Sequence, residues 1–287
     1  MDSFLDYVKQ KSPSEHTLVN YAVDLRQFLD FLEGQGIGRL EEVATPALRG
    51  YLRGMFGWGY SAASISRKLS ALRGFFAYLK ETGVLENDPA RSLRGPSAPR
   101  GLPRALSAES VDAMFKAALE EKETAVRDTA ILELLYGCGL RVSELAGLKW
   151  DDVDIEERWL YVLGKGSKER RVPFGLCAQK ALRALAASRE GAFVFAGKKG
   201  RDALTVRTVH RVVTGLAARC GLSGVSPHVL RHTCATHLLE RGAPLTFLQE
   251  FLGHESMATT QIYLTVSASW MKESYAAHHP RAEDDAP

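Results

Sequence analysis

The segment from Arg94 to Arg104 constrains the fold of this chain more than any other. It reads Arg-Gly-Pro-Ser-Ala-Pro-Arg-Gly-Leu-Pro-Arg, with a proline or glycine at nearly every second position. Proline lacks the backbone N–H that a helix or central strand requires, and glycine favours irregular backbone, so neither element can run through it. We therefore predict a basic linker over residues 94–106, an N-terminal domain over 1–93 and a second domain over 107–287.

Apolar residues at helical spacing predict that the N-terminal domain is a bundle of about four helices. Helix starts are indicated at Ser12-Pro13, Thr45-Pro46 and Asp88-Pro89, because a small polar residue before proline favours the first helical turn. A further helix start is indicated at Ser61, since serine is a favoured capping residue. The apolar stripes of the first and third helices consist of Leu18, Tyr21, Leu25, Phe28, Leu29 and Leu32, and of Ile65, Leu69, Leu72, Phe76 and Leu79.

Charge is unevenly distributed along the N-terminal domain and linker. Residues 1–43 carry 4 basic and 8 acidic side chains, whereas residues 44–100 carry 9 basic and 3 acidic ones. Such a step suggests that one face meets a polyanion, although a solvated basic face explains it equally well. Arg67, Lys68 and Arg73 lie off the apolar stripe of the third helix and are predicted to face a ligand.

The second domain is predicted to be mostly helical with a small antiparallel sheet. Strand character is found at Trp159–Leu163 and Arg170–Phe174, joined by a glycine-flanked turn over 164–167, and Phe193–Phe195 is a further short candidate. Helices are predicted at about 107–119, 124–136, 176–188, 205–220, 228–241, 244–252, 256–265 and 268–277.

Composition excludes several classes of protein. The 287 residues are 45% hydrophobic and 25% charged, which supports a packed core and argues against a disordered chain. The first six residues are acidic and are followed by no long apolar run, so we expect neither a signal peptide nor a membrane span, and we expect a cytoplasmic protein. The four cysteines are scattered and form no C-x-x-C pair, which indicates buried thiols.

Four local patterns contain residues that could carry chemistry. Taken separately, each has a structural explanation as a surface ion pair, a solvated turn, a packed histidine or a core tyrosine. The four patterns are Arg141 with Glu144 three residues later, Lys165 followed by Lys168, Arg170 and Arg171, His228 with Arg231 at a helix start, and His254 with Tyr263.

Taken together, these residues suit attack on a phosphodiester without a metal ion. A tyrosine hydroxyl becomes a nucleophile when its proton is removed or its anion is stabilised. Guanidinium groups match the oxygens of a phosphorane-like transition state, and a lysine can protonate the leaving oxygen. A zinc site at His228 and His232 lacks an H-E-x-x-H glutamate and an adjacent cysteine pair, and there is no Walker loop. We therefore expect no cofactor.

The order and spacing of the motifs resemble those of the tyrosine recombinase (phage integrase) family, and more narrowly the bacterial Xer recombinases. The matching motifs are Gly139–Leu145, Gly164–Pro173, Ser226–Leu239, Leu252–Tyr263, the N-terminal Thr17–Phe28 and the terminal Tyr275–Ala282. The resemblance covers nearly the whole chain. It implies a four-helix SAM-like, core-binding N-terminal domain and a mostly helical catalytic domain that together form a C-shaped clamp on DNA.

The resemblance also implies a role for each site residue. Tyr263 would be the nucleophile, Arg141 and Arg231 would hold the scissile phosphate, and Lys165 would be the general acid. His228 would assist proton transfer, His254 would hydrogen-bond the phosphate, and Glu144 would orient Arg141. DNA contacts are expected from the basic residues Arg67, Lys68, Arg73, Lys168, Arg170 and Arg171.

The implied activity is site-specific recombination through a 3′-phosphotyrosyl bond and a Holliday junction. The implied role is chromosome-dimer resolution at a dif-like site. Implied partners are double-stranded DNA, a homo- or hetero-tetramer with a partner recombinase, and an FtsK-like translocase. The helix near 267–277 would dock into the neighbouring subunit, with packing onto its own domain as the alternative. A mobile-element integrase or resolvase of the same chemistry is the competing interpretation.

Overall fold

The computed structural model describes residues 1–11, 15–96, 105–163, 169–187, 191–197, 202–253 and 268–282. The chain divides into two units, Met1–Arg100 and Gly101–Pro287, and each has its own hydrophobic core. Within these described ranges, no helix is long and apolar enough to cross a membrane. The predicted cap at Ser12-Pro13 and the middle of the predicted linker lie outside them.

The N-terminal unit is built from helices α1 (Asp2–Lys11), α2 (Glu15–Gly34), α3 (Thr45–Gly57) and α4 (Ala62–Glu81). Pro46 stands in the first turn of α3, where no backbone N–H is required. The Ser61 hydroxyl caps α4 by accepting a hydrogen bond from the backbone N–H of Ser64 (3.2 Å). The core is rich in aromatic rings, and it includes Phe4, Phe28, Tyr51, Phe75 and Phe76.

The prediction of four helices is confirmed for the described part of this unit, but one of the four was wrongly placed. The predicted helix at Asp88-Pro89 is a turn, in which the Asp88 carboxylate accepts a hydrogen bond from the backbone N–H of Ala90 (2.8 Å). Asp at such a position competes with helix formation by bonding its own neighbours. The additional helix is α1, which buries Phe4 edge-on against Phe75 with 5.4 Å between ring centroids.

The C-terminal unit is mostly helical with a three-stranded antiparallel sheet, as predicted. Strands β1 (Val153–Asp154), β2 (Trp159–Leu163) and β3 (Glu169–Pro173) lie in that order, and Tyr161 pairs with Arg171. Phe193 forms only an isolated bridge with Lys149. The helices are α5 (Ala108–Glu120), α6 (Ala125–Leu132), α7 (Val142–Gly147), α8 (Leu176–Ala186), α9 (Val206–Arg219), α10 (Pro227–Glu240), α11 (Leu245–Leu252) and α12 (Ala268–His278).

Two helical predictions need comment. The helix predicted over 124–136 ends as α6 at Leu132 and continues as a π-helical turn, Glu133–Gly137, whose wider backbone places Glu133 in the interior. The helix predicted near 256–265 lies outside the described residues.

In the single chain, helix α12 packs onto its own unit, which is the alternative to docking into a neighbouring subunit. Met271 and Tyr275 are buried in the core of the C-terminal unit. The Tyr275 hydroxyl donates to the carbonyl of Gly137 (3.0 Å), and its ring stacks on His279 with 4.7 Å between centroids. The apolar side chains near the end of the chain are therefore covered within the same molecule.

Candidate active site

Three arginines from three different elements converge on the carboxyl end of α11. The carbonyl oxygens of residues 251–253 accept, in that order, hydrogen bonds from Arg170 Nε (3.2 Å), Arg231 Nη2 and Arg141 Nη2 (2.8 Å). The last carbonyls of a helix have no partner within the helix and carry the negative end of its dipole. They therefore attract cations, and here they fix three guanidinium groups side by side.

Two glycines make this close packing possible. Gly253 ends α11 with a φ of +63°, and a Cβ at this position would lie 2.9 Å from Arg170 Cδ. Gly139 has a φ of +57°, and a Cβ there would lie 2.8 Å from a methyl group of Leu252. Its carbonyl accepts a hydrogen bond from Arg231 Nη1. Both positions combine left-handed backbone with a lack of space, so only glycine fits without strain.

The predicted pairing of Arg141 with Glu144 is present, and it is not a surface ion pair. Arg141 precedes the first turn of α7, where its backbone N–H and its Nη1 each donate to Glu144 at 2.7 Å. The Glu144 side chain is 6% exposed and also receives a two-point fork from Arg170, with both bonds at 2.8 Å. Burial by itself raises the pKa of Glu144, but the bonds and charge of Arg170, then those of Arg141, outweigh it and lower the pKa.

Arg231 differs from the other two arginines because it has no carboxylate hydrogen-bond partner among the described residues. Its guanidinium is buried and bonds to two backbone carbonyls, those of Gly139 and Leu252. Burial, and then the charge of Arg141, lower the pKa of Arg231 to about 10, so it stays protonated at neutral pH. Arg141 and Arg231 thus lie side by side, and Glu144 is the one carboxylate bonded to the arginines of this cluster among the described residues. The excess of positive charge makes the cluster a site for an anion.

His228 lies at the start of α10, one turn before Arg231. The Ser226 hydroxyl caps this helix, Pro227 follows, and the side chain of His228 is exposed. His237, expected to be structural, is buried and bonds to the Tyr136 hydroxyl and to the carbonyl of Leu106, each at 2.9 Å. The exposed histidine is thus the one predicted to act, and the buried one has its ring nitrogens occupied.

Of the remaining predicted site residues of the C-terminal unit, four lie outside the described residues and Arg171 lies within them. Lys165, Lys168, His254 and Tyr263 lie outside the described residues. Arg171 is exposed, 5.4 Å above the ring of Tyr161, and stays a predicted DNA contact.

The prediction that Arg170 contacts DNA is wrong. Its side chain is 6% exposed, and its donors are directed at Glu144 and the end of α11. A signal for this was present in the sequence, because residues two apart in a strand share a face and Val172 is a core-type residue.

In the N-terminal unit the structure corrects a second predicted DNA contact. Lys68 is 2% exposed and donates to the buried carboxylate of Asp24 (2.8 Å), so it cannot reach a phosphate. Arg67 bonds to the same carboxylate but keeps a 41% exposed side chain. Arg73 is exposed, and its guanidinium bonds to the carbonyl of Leu93. Arg67 and Arg73 stay predicted contacts, while Lys68 is a core residue.

Fold and site together define a class. A mostly helical unit holds the guanidinium groups of Arg141 and Arg231 on adjacent carbonyls at the end of α11. Guanidinium groups fixed in this way can stabilise the negative charge of a phosphoryl group during its transfer. Family models described as the phage integrase family and as the phage integrase N-terminal SAM-like domain match residues 104–269 and 1–83. The chain belongs to the phage integrase family, and it is a tyrosine recombinase, an enzyme of site-specific recombination that cuts and rejoins DNA.

Individual relatives give a narrower likeness. The chain is 43% identical over 284 residues to the tyrosine recombinase XerC of Mycobacterium leprae, covering 94% of both chains, and 36% identical over 290 residues to that of Bacillus subtilis, covering 97% of this chain and 95% of the relative. These relatives confirm the resemblance to the Xer recombinases, and both are named XerC. A lambda integrase tetramer bound to a Holliday junction shares the fold, with a TM-score of 0.69 at 22% identity over 92% of this chain and 79% of that one.

Proposed function

We propose that this enzyme exchanges strands at a dif-like DNA site through a 3′-phosphotyrosyl intermediate on Tyr263, and that it thereby resolves chromosome dimers. The observation that carries the proposal is the convergence of Arg141 and Arg231 on the adjacent carbonyls of residues 252 and 253. The sequence then continues directly into the segment with His254 and Tyr263.

The reaction balances without an added reagent. Tyr263 gives its hydroxyl proton to His228 as its oxygen attacks the scissile phosphorus. The bond to the 5′ oxygen breaks, and that oxygen takes a proton from Lys165. Rejoining is the reverse reaction, with the 5′-hydroxyl of the other DNA duplex as the nucleophile. The tyrosyl ester retains the bond energy of the cleaved phosphodiester, so rejoining needs no ATP. The proposed side chains supply the charge and the protons, so no metal ion is needed either.

The described side chains support the remaining roles. Negative charge builds up on the non-bridging oxygens in the transition state, where Arg141 and Arg231 would each donate. Glu144 would keep the Arg141 guanidinium directed at the phosphate. The exposed His228, one turn from Arg231, would assist proton transfer at the nucleophile. For His254, which lies outside the described residues, we keep the role that the resemblance implies, a hydrogen bond to the phosphate.

The proposed partners are those that the resemblance to the family implies. We expect the chain to bind double-stranded DNA and to act as a tetramer, either with copies of itself or with a second recombinase, under an FtsK-like translocase in the cytoplasm. The curated relatives named XerC, at 36% to 43% identity, favour a chromosomal role over a mobile-element integrase.

A nicked half-site substrate tests the proposal, because the nick lets the 5′ fragment diffuse away and traps the covalent intermediate. We expect the wild-type protein to form a protein–DNA adduct that survives denaturing electrophoresis, and Tyr263→Phe to bind the same DNA without forming it. A wild-type protein that binds but forms no adduct, or a Tyr263→Phe variant that still forms one, contradicts the proposal.

A further inference from the structure

We propose that Arg170 is a positioning residue for strand cleavage, acting through Glu144 on Arg141. The inference rests on the proposed function, since it assigns Arg170 a part in setting up the same phosphate site. It replaces the expectation from sequence that Arg170 belongs to the DNA-binding surface.

The position of Arg170 in β3 directs its side chain inward. Side chains alternate between the two faces of a strand, so Arg170 shares the buried face with Val172 while Arg171 is exposed. At 6% exposure the side chain lies too deep for a phosphate of the DNA backbone to reach. A buried arginine must instead be balanced by groups within the protein.

Arg170 joins three elements that the active site needs in register. Its Nη1 and Nη2 hold both oxygens of Glu144 on α7 at 2.8 Å, and its Nε donates to the carbonyl of residue 251 on α11 at 3.2 Å. Two parallel bonds to one carboxylate fix its plane as well as its position. The fork therefore determines where Glu144 presents its oxygen to Arg141 Nη1.

Arg141 depends on this support because its own side chain is 39% exposed. A half-exposed arginine samples several rotamers unless its donors are held, and Glu144 together with the residue 253 carbonyl holds two of them. Without Arg170, Glu144 loses two of the four hydrogen bonds that it receives from described residues. The guanidinium of Arg141 then loses its fixed direction.

The first experiment separates positioning from DNA binding. We compare wild type with Arg170→Met, measuring affinity for the nicked half-site by gel shift and the rate of adduct formation on saturated DNA. We expect the rate of Arg170→Met to fall roughly 100-fold, the cost of a small misplacement of a catalytic group, with little change in affinity. Arg183→Met, which breaks an exposed pair with Glu156 in the same unit, is the matched control and should match wild type in both.

The second experiment uses pH to show that the effect passes through Glu144. Among the described residues, the charged groups that face its carboxylate are Arg141, Arg170 and Arg231. When Arg170 is removed, burial is less well opposed, the pKa of Glu144 rises, and the neutral form orients Arg141 poorly. Cleavage by Arg170→Met should therefore increase with pH as Glu144 ionises.

Two further variants make this profile specific. Glu144→Gln combined with Arg170→Met has no carboxylate to titrate, so its cleavage rate, although low, should lose the added pH dependence. Arg170→Lys restores the charge but not the two-point fork, so it should remove the pH dependence while recovering only part of the rate. A variant that only destabilised the fold would not show a pH dependence of cleavage that disappears with both Glu144→Gln and Arg170→Lys.

Distinct results overturn the inference. It is wrong if Arg170→Met cleaves saturated DNA at the wild-type rate, or if this variant loses affinity and rate together as a DNA contact would. It is also wrong if a substrate with a 5′-thio leaving group, which needs no general acid, restores the rate of Arg170→Met, because Arg170 would then act through Lys165. In each case wild type still forms the Tyr263 adduct, whereas a failure of wild type contradicts the proposed function itself.

Discussion

Each unit of this protein holds a carboxylate buried between two cationic side chains, and only the cluster in the C-terminal unit lies at the candidate active site. In the N-terminal unit, Asp24 on α2 binds Lys68 and Arg67 on α4. Lys68 is buried and Arg67 is half-exposed. In the C-terminal unit, Glu144 binds a buried and a half-exposed arginine in the same arrangement.

The difference between the clusters is Arg231. This arginine lies beside the Glu144 cluster and is buried, and its hydrogen bonds among the described residues go to backbone carbonyls rather than to a carboxylate. In the described part of the N-terminal unit, Lys68 is the only buried basic side chain, and it is paired with Asp24. A buried carboxylate with a cation on either side joins structural elements together. An additional buried cation without a bonded carboxylate is stabilised by binding an anion. The Glu144 cluster does both.

We expect the largest effect from a substitution in the cluster formed by Asp24, Lys68 and Arg67. Asp24→Asn leaves Lys68 buried without its carboxylate, and removing one partner of a buried pair costs about 3–5 kcal/mol of stability. Hydrogen–deuterium exchange in the intact chain should show faster exchange in α2 and α4 with α10 unchanged. The double variant Asp24→Asn/Lys68→Met should recover most of the loss. Wild-type exchange in the single variant would show that the pair contributes nothing to folding.

The next effect tests the functional cluster. Arg231→Ala removes one donor to the developing charge, and we expect cleavage of the nicked half-site to fall roughly 10²–10³-fold, about 2.7–4 kcal/mol in the barrier. Binding of the site should be retained, as measured by gel shift. Equal losses of binding and cleavage would show that Arg231 is structural, and the two clusters would then not differ in kind.

The smallest effect sharpens the comparison within the N-terminal unit. Arg67→Ala removes a partner that is 41% exposed, while Lys68 still neutralises Asp24, so we expect a stability loss of about 0.2–1 kcal/mol. The same exchange measurement on α2 and α4 checks it. If the loss were as large as for Asp24→Asn, then Arg67 rather than Lys68 would be the essential partner.

Local signals in the sequence predicted elements well where the reason for the element was local. Strand β2 and the helix starts at Thr45-Pro46 and Ser61 follow from neighbouring residues alone. Helix α1 was missed, and the packing of α12 onto its own unit was only an alternative, because both depend on contacts far along the chain. Phe4 packs on Phe75, and Tyr275 bonds to Gly137. Nothing in the spacing of either segment indicates these partners.

The sequence by itself determined the division into two units, because closely spaced prolines and glycines prevent a helix or strand from running through the linker. It also determined the inventory of reactive residues, because chemistry belongs to side-chain type. It also determined the pairing of Arg141 with Glu144, three positions apart on one short helix. Only the tertiary structure decided which basic residues face outward. Arg170 and Lys68 carry the same kind of charge as Arg171 and Arg67, and burial against other elements separates them. Desolvation requires a buried cation to be paired within the protein, and that pairing is a property of the packed fold.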